Sequence, residues 1–274
     1  MPQEERPRNS LFMEAMFFLE LLYFTTVRDV RSETGNAGLG LLIAVIRTLT
    51  LVMVFYVLFE FIGMKGIALR GDFFLFLVTG VLLFFMHNNT IGKTISAGSQ
   101  VSPMMMHAPM TAVLRMLSAN LAVLYVYTLT ILIILTGMWV VNGELEIYRP
   151  GRTILPFLLA WLSGIVIGLI FLLVKPFMPN MMQTVSKVYM RANLITSGKF
   201  FVANMLPDKV LPFFDWNPLF HTIDQMRGAA FVNYVPHNTS ITYPVLFVLI
   251  GGLLGLMGEH YTRRTVSRSD SATQ

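Results

Sequence analysis

Asp215-Trp216-Asn217-Pro218-Leu219-Phe220-His221-Thr222-Ile223-Asp224-Gln225-Met226-Arg227-Gly228-Ala229-Ala230-Phe231 is a polar run set between two apolar segments. Asn217-Pro218 is suited to open a helix, because proline fits the first turn, where its missing N–H is not needed. Three- and four-residue spacing then puts His221, Asp224 and Gly228 on one face and lets Asp224 pair with Arg227. Gly228 and Ala229 are small enough for close packing. A short helix this polar is costly in lipid unless it meets water or another subunit. Two readings follow: an amphipathic connector on the outer surface, or a working part of the molecule.

Composition decides the surroundings of that run. The chain has 274 residues, of which 55% are hydrophobic and 13% charged, against about 25% charged in a soluble domain. With its long apolar runs, this makes it an all-α integral membrane protein. The net charge of +5 is not a nucleic-acid signal here, since basic residues gather at the cytoplasmic ends of membrane helices. The absence of cysteine excludes disulfides, thiol catalysis and cysteine metal sites.

Six transmembrane helices are expected, preceded by an N-terminal amphipathic interface helix. That first helix, within residues 11–30, is broken by Glu14 and Glu20, so it fits neither a secretory signal nor a clean span; an imperfect extra span is the alternative. The spans are read at 39–61, 73–91, 111–141, 155–174, 181–206 and 243–260, each long enough for a hydrocarbon core of about 30 Å. Arg47 falls inside the first and must face a partner, a cavity or the interface. His87, Asn88 and Asn89 in the second suit either a hydrophilic substrate or helix packing. A polar loop at 93–110 carries Met104-Met105-Met106, residues suited to an adaptable protein contact. Gly164 and Gly168 in the fourth span, and Gly251, Gly252, Gly255 and Gly258 in the last, allow close helix approach. The fifth span is the most polar, with a small-residue pair at Ser197-Gly198. Its Lys199 is a candidate for a polar conduit, snorkelling being the competing account. Between spans five and six, residues 207–236 read as a re-entrant helical hairpin rich in aromatics, Trp216 among them. These rings suit either headgroup depth or a sugar.

Basic residues place both termini in the cytoplasm, with Arg6, Arg8, Arg28, Arg31, Lys93, Arg115, Lys175, Lys187, Arg191, Arg263, Arg264 and Arg268 inside. The chain then divides into an N-terminal region 1–34, a transmembrane domain 35–262 and a cytoplasmic tail 263–274.

Asn217-Pro218-Leu219, followed by a helix with Asp224 and Arg227 and by a closing span, resembles the end of ABC-2 type exporter membrane subunits. The likeness is to the branch that exports capsular polysaccharide, O-antigen and teichoic acid. Leu39-Gly40 before the first span and Ser197-Gly198 in the fifth are similar to the same family, although the aromatics and proline common at the first span's start are missing. The resemblance implies a permease in the cell inner (cytoplasmic) membrane, moving a polysaccharide or lipid-linked glycan. It implies a homodimer paired with separate ATPase subunits that bring ATP and Mg. No Gly-x-x-x-x-Gly-Lys-Ser/Thr phosphate loop occurs in this chain, so no cofactor is expected on it. The loop at 96–106 would carry the short helix that docks into the ATPase, with Ser96, Gln100, Met104, Met105 and His107 as contacts. Arg47, Lys199, Trp216, Asn217, His221, Asp224 and Arg227 are the expected conduit or gate residues. Replacing Asp224 or Arg227 with alanine is expected to reduce export while leaving membrane insertion intact.

Two other classes compete. An ABC-2 exporter of a lipid or drug, or an ion-coupled carrier, would keep the topology. A membrane-embedded sugar-transfer enzyme would need clustered titratable groups, whereas His87, His107, His221, His237 and His260 are dispersed and no metal-ligand pattern occurs.

Overall fold

The computed structural model describes residues 11–31, 37–62, 72–99, 112–144 and 146–271, and the regular elements among them are all helices. In order these are α1 (Leu11–Arg31), α2 (Ala37–Ile62), α3 (Phe73–Leu77), a π-helical turn (Val78–Leu82), α4 (Leu83–Ser99), α5 (Ala112–Asn142), α6 (Pro150–Val174), α7 (Pro179–Thr196), α8 (Pro212–Asp215), α9 (Pro218–Ala230) and α10 (Thr242–Ser271).

Three helical stretches among the described residues are long and apolar enough to cross a membrane: Phe73–Gly98, Val113–Asn142 and Pro150–Val174. The 25 residues of the last reach about 37 Å at 1.5 Å per residue. Thr242–Gly258 is a shorter apolar helix. The first stretch opens at Asp72, whose carboxylate accepts the Phe74 N–H at 2.7 Å, satisfying one of the orphan donors of a helix start.

Lipid is as apolar as leucine, so shape and small residues decide which membrane helices associate. A Cβ on Gly164 would come within 2.8 Å of the His87 carbonyl oxygen, and one on Gly168 within 2.6 Å of Thr94. These glycines let α6 lie directly on α4. Gly251, Gly255 and Gly258 of α10 meet Val166, Leu169 and Leu173 of α6 in the same way. Polar side chains add to the seam: Asn120 of α5 donates to Thr94 at 2.9 Å, and Trp161 of α6 donates to the Asn120 carbonyl at 3.0 Å. On the other flank α1 is tied to α5 by Ser118 donating to Asp29 at 2.9 Å. Met13, Met16, Phe17, Leu19, Tyr23 and Phe24 of α1 face outward beside Glu14 and Glu20.

Four expectations are corrected. Residues 93–99 are helical and prolong α4, because Ile91, Thr94 and Ala97 bury one face; Ser96 therefore sits on a helix. Gln100, Met104, Met105 and His107 lie outside the described residues. The fifth span does not run to residue 206: α7 ends at Thr196, and Lys199 is on non-helical backbone. The last helix continues past residue 260 to Ser271. Finally, α9 is no outer-surface connector. Residues from Pro218 to Ile223, with Asp224, Met226, Arg227, Ala229 and Ala230, are all buried, enclosed by α4, α6, α10 and the π turn.

Candidate functional site

The site grows from the end of α7. Ser197 caps that helix and Gly198 follows at φ +68°, a left-handed conformation that costs a residue with a Cβ about 1–2 kcal/mol. A Cβ there would also stand 2.7 Å from the Phe220 ring. Beyond it the chain leaves helical geometry until a short 3₁₀ turn at Ala203–Met205. Irregular backbone inside a membrane protein must have its N–H and C=O groups satisfied by protein.

Arg227 and Asp224 do this from α9. The guanidinium of Arg227 donates to the carbonyl of Gly198 at 2.8 Å and also to those of Lys199 and Phe201. It lies over the Phe76 ring, 3.9 Å from the centroid. Room for it comes from Gly80 of the π turn, where a Cβ would stand 2.7 Å from both Arg227 and the Lys199 carbonyl oxygen. Asp224 takes the opposite polarity. It accepts the Ala203 N–H at 3.1 Å, the Thr239 hydroxyl at 2.7 Å and the Tyr234 hydroxyl. The expected Asp224–Arg227 ion pair is thus corrected. One helical turn apart, each side chain turns instead to the backbone of the break, where an orphaned buried group would cost about 1–3 kcal/mol.

Asn217 joins this clamp to the helices around it. As N-cap of α9 it accepts the Leu219 N–H at 3.0 Å. Its amide donates to Asn193 at 2.8 Å and to Thr196 at 3.0 Å, both on α7. Asn193 donates to Asn88 of α4, and Asn88 to the Met190 carbonyl. His221 links α8 to the following loop: its Nε2 meets the Asp215 carbonyl at 2.9 Å and its Nδ1 accepts the Ser240 N–H at 3.1 Å.

Lys199 has its backbone held by Arg227, while its side chain points inward and is fully buried. Its Nζ lies 3.2 Å from the centroid of Phe84, 4.7 Å from that of Phe200 and 5.6 Å from that of Phe55. Snorkelling is therefore excluded for it in this structure.

Five expected site residues are thus brought together: Lys199, Asn217, His221, Asp224 and Arg227. Trp216 lies beside them with its ring half exposed and its N–H on the Phe213 carbonyl. Arg47 is not part of the cluster; it is exposed on α2, whose neighbouring Ile43 and Ile46 also face outward. Sequence reading missed Phe76, Gly80, Tyr234 and Thr239 as partners. Gly80, a lone glycine in an apolar helix, was the one available signal of close approach.

No family model matches the chain. It is similar to the polysialic acid transport protein KpsM of Escherichia coli, 23% identical over 230 residues that cover 84% of this chain and 88% of that protein. A second Escherichia coli sequence of the same name is 22% identical over 235 residues, with the same two coverages. The likeness runs through nearly the whole of both chains and bears out the resemblance drawn from the Asn217-Pro218-Leu219 region.

Proposed function

We infer that this chain is an ABC-2 type permease, the transmembrane subunit of an exporter that moves a polysaccharide or lipid-linked glycan across the cytoplasmic membrane. The observation that carries this is the whole-length similarity to proteins that transport polysialic acid, on a chain whose membrane-length helices enclose a buried polar break. The chain is a transporter subunit rather than a catalyst. Its energy comes from a separate ATPase subunit, which brings ATP and Mg.

The finer arrangement belongs to the same proposal. α2, α7 with its break, and α10 complete six spans around the three clear ones, and residues 207–236 form the re-entrant hairpin. α1 lies along the cytoplasmic interface and both termini are cytoplasmic. Two copies pair, with the Arg47 face of α2 turned toward the second copy, because an arginine facing lipid at that depth is costly. Residues 96–106 contact the ATPase, Ser96 and the cytoplasmic end of α4 leading into that contact. Movement of α4 reaches the break after α7 through Asn88, Asn193 and Asn217.

One observation bears against the ion-coupled carrier. Such carriers coordinate their ion with carbonyls freed at broken helices. Here the freed carbonyls of Gly198, Lys199 and Phe201 are filled by Arg227, a cation the protein carries itself.

Gentle detergent purification of the tagged chain from its native membrane, with mass spectrometry of what remains bound, tests the reading. An ATPase subunit at a fixed ratio to the chain is expected. A folded chain that purifies alone would sink it.

A further inference from the structure

We propose that Lys199 and the phenylalanines around it form a concealed anion site, in which the Nζ is held by Phe55, Phe84 and Phe200 until α2 shifts and then binds a carboxylate or phosphate oxyanion of the transported glycan. The proposal rests on the export reading and names the substrate chemistry of its conduit.

Four features of this site converge. The Lys199 Nζ is buried and has no hydrogen-bond partner among the described residues. Aromatic faces attract a cation but accept none of the strong hydrogen bonds its three N–H groups offer. The buried carboxylate of Asp224 is already filled by Ala203, Thr239 and Tyr234, so it does not serve as the counter-ion. The backbone at Lys199 is fixed by Arg227, so the four-carbon stem can swing without disturbing the break. Two walls of the box, Phe55 and Phe200, are only half-buried. Phe55 belongs to α2, where Met53, Val54, Val57 and Leu58 all face outward. Within the single chain α2 is the outermost wall of the box, and its displacement against the second copy uncovers the amine. A compact ammonium with rotatable donors then suits an oxyanion of either geometry.

The test uses the full-length chain in nanodiscs of neutral lipid, with a fluorescent polysialic acid oligomer as probe and the same oligomer with its carboxylates reduced to alcohols. Lys199→Met should weaken binding of the acidic oligomer about tenfold, the scale of one charge-assisted hydrogen bond, and Lys199→Arg should largely restore it. The reduced oligomer should bind the wild type and both variants alike. Equal affinity of Lys199→Met and wild type for the acidic oligomer overturns the site. Phe55→Ala, which removes the movable wall and keeps the lysine, should tighten acidic binding; unchanged or weaker binding overturns the concealment and keeps the proposal falsifiable should Lys199→Met fail to fold. Nanodiscs containing phosphatidylglycerol separate the two sources of anion. If that lipid binds through Lys199 while oligomer binding ignores the substitution, the oxyanion belongs to a headgroup and the glycan assignment fails. Because binding is read on the chain alone, absence of a co-purifying ATPase would defeat the export reading without obscuring this result.

Discussion

Arg227 has the largest expected effect of any single residue. Three backbone carbonyls depend on its guanidinium, and leaving a buried polar group without its partner costs about 1–3 kcal/mol. Arg227→Ala should therefore lower the thermal unfolding midpoint of the detergent-solubilised chain, beyond any loss of export, while the chain still inserts in the membrane. Arg227→Lys should lie between, because a point-charge ammonium does not reproduce the planar fork. A variant that melts with the wild type would remove the clamp role. Asp224→Asn keeps acceptor oxygen for one or two of its three donors and should be milder than Asp224→Ala by the same measurement. Both residues stood out in the sequence, since a charged pair in so apolar a chain needs a reason. Their partners were not. Three-residue spacing argues for an ion pair between them, and only the position of the break explains why each serves backbone instead.

At the scale of the element, the junction of α7 and α9 makes the argument. Asn217→Ala removes an N-cap, worth about 1 kcal/mol, and two amide donations to α7. The variant should lose stability and show faster hydrogen exchange at the start of α9; exchange confined to α7 would assign the effect to the amide chain alone. Gly198→Ala places a Cβ at positive φ and against Phe220, so it should destabilise by about 1–2 kcal/mol from the backbone alone, read again in the unfolding midpoint. The small pair Ser197-Gly198 marked a weak point in the sequence. Hydrophobicity carried the predicted span past it to residue 206, because a window over apolar residues does not register a left-handed glycine. The same blindness placed the boundary of α4 too early: Lys93 and Ser96 read as loop, while the buried side of that turn, Thr94 and Ala97, keeps it helical.

For the whole molecule, the expectations concern partners. The chain contains no cysteine, so Arg47→Cys introduces a single thiol. Mild oxidation in native membranes should then link two copies through α2; a chain that remains monomeric under oxidation that links a control cysteine pair would remove that face from the interface. Deletion of residues 100–106 should release the ATPase while leaving α4 intact, and an undiminished complex would strip the loop of its role.

The sequence by itself determined that this chain is helical, carries runs long and apolar enough to cross a membrane, and resembles polysaccharide-export permeases, because those readings rest on total apolar length, sparse charge and local motif order. It also singled out Lys199, Asn217, Asp224 and Arg227, because polar groups at membrane depth are expensive wherever the chain folds. Tertiary structure alone decided what each of them touches. The break after Thr196 leaves specific carbonyls and N–H groups exposed at one place. Glycines at positions 80, 164 and 168 let the helices close around it. Which donor meets which acceptor then follows from that geometry, which no spacing along the chain encodes.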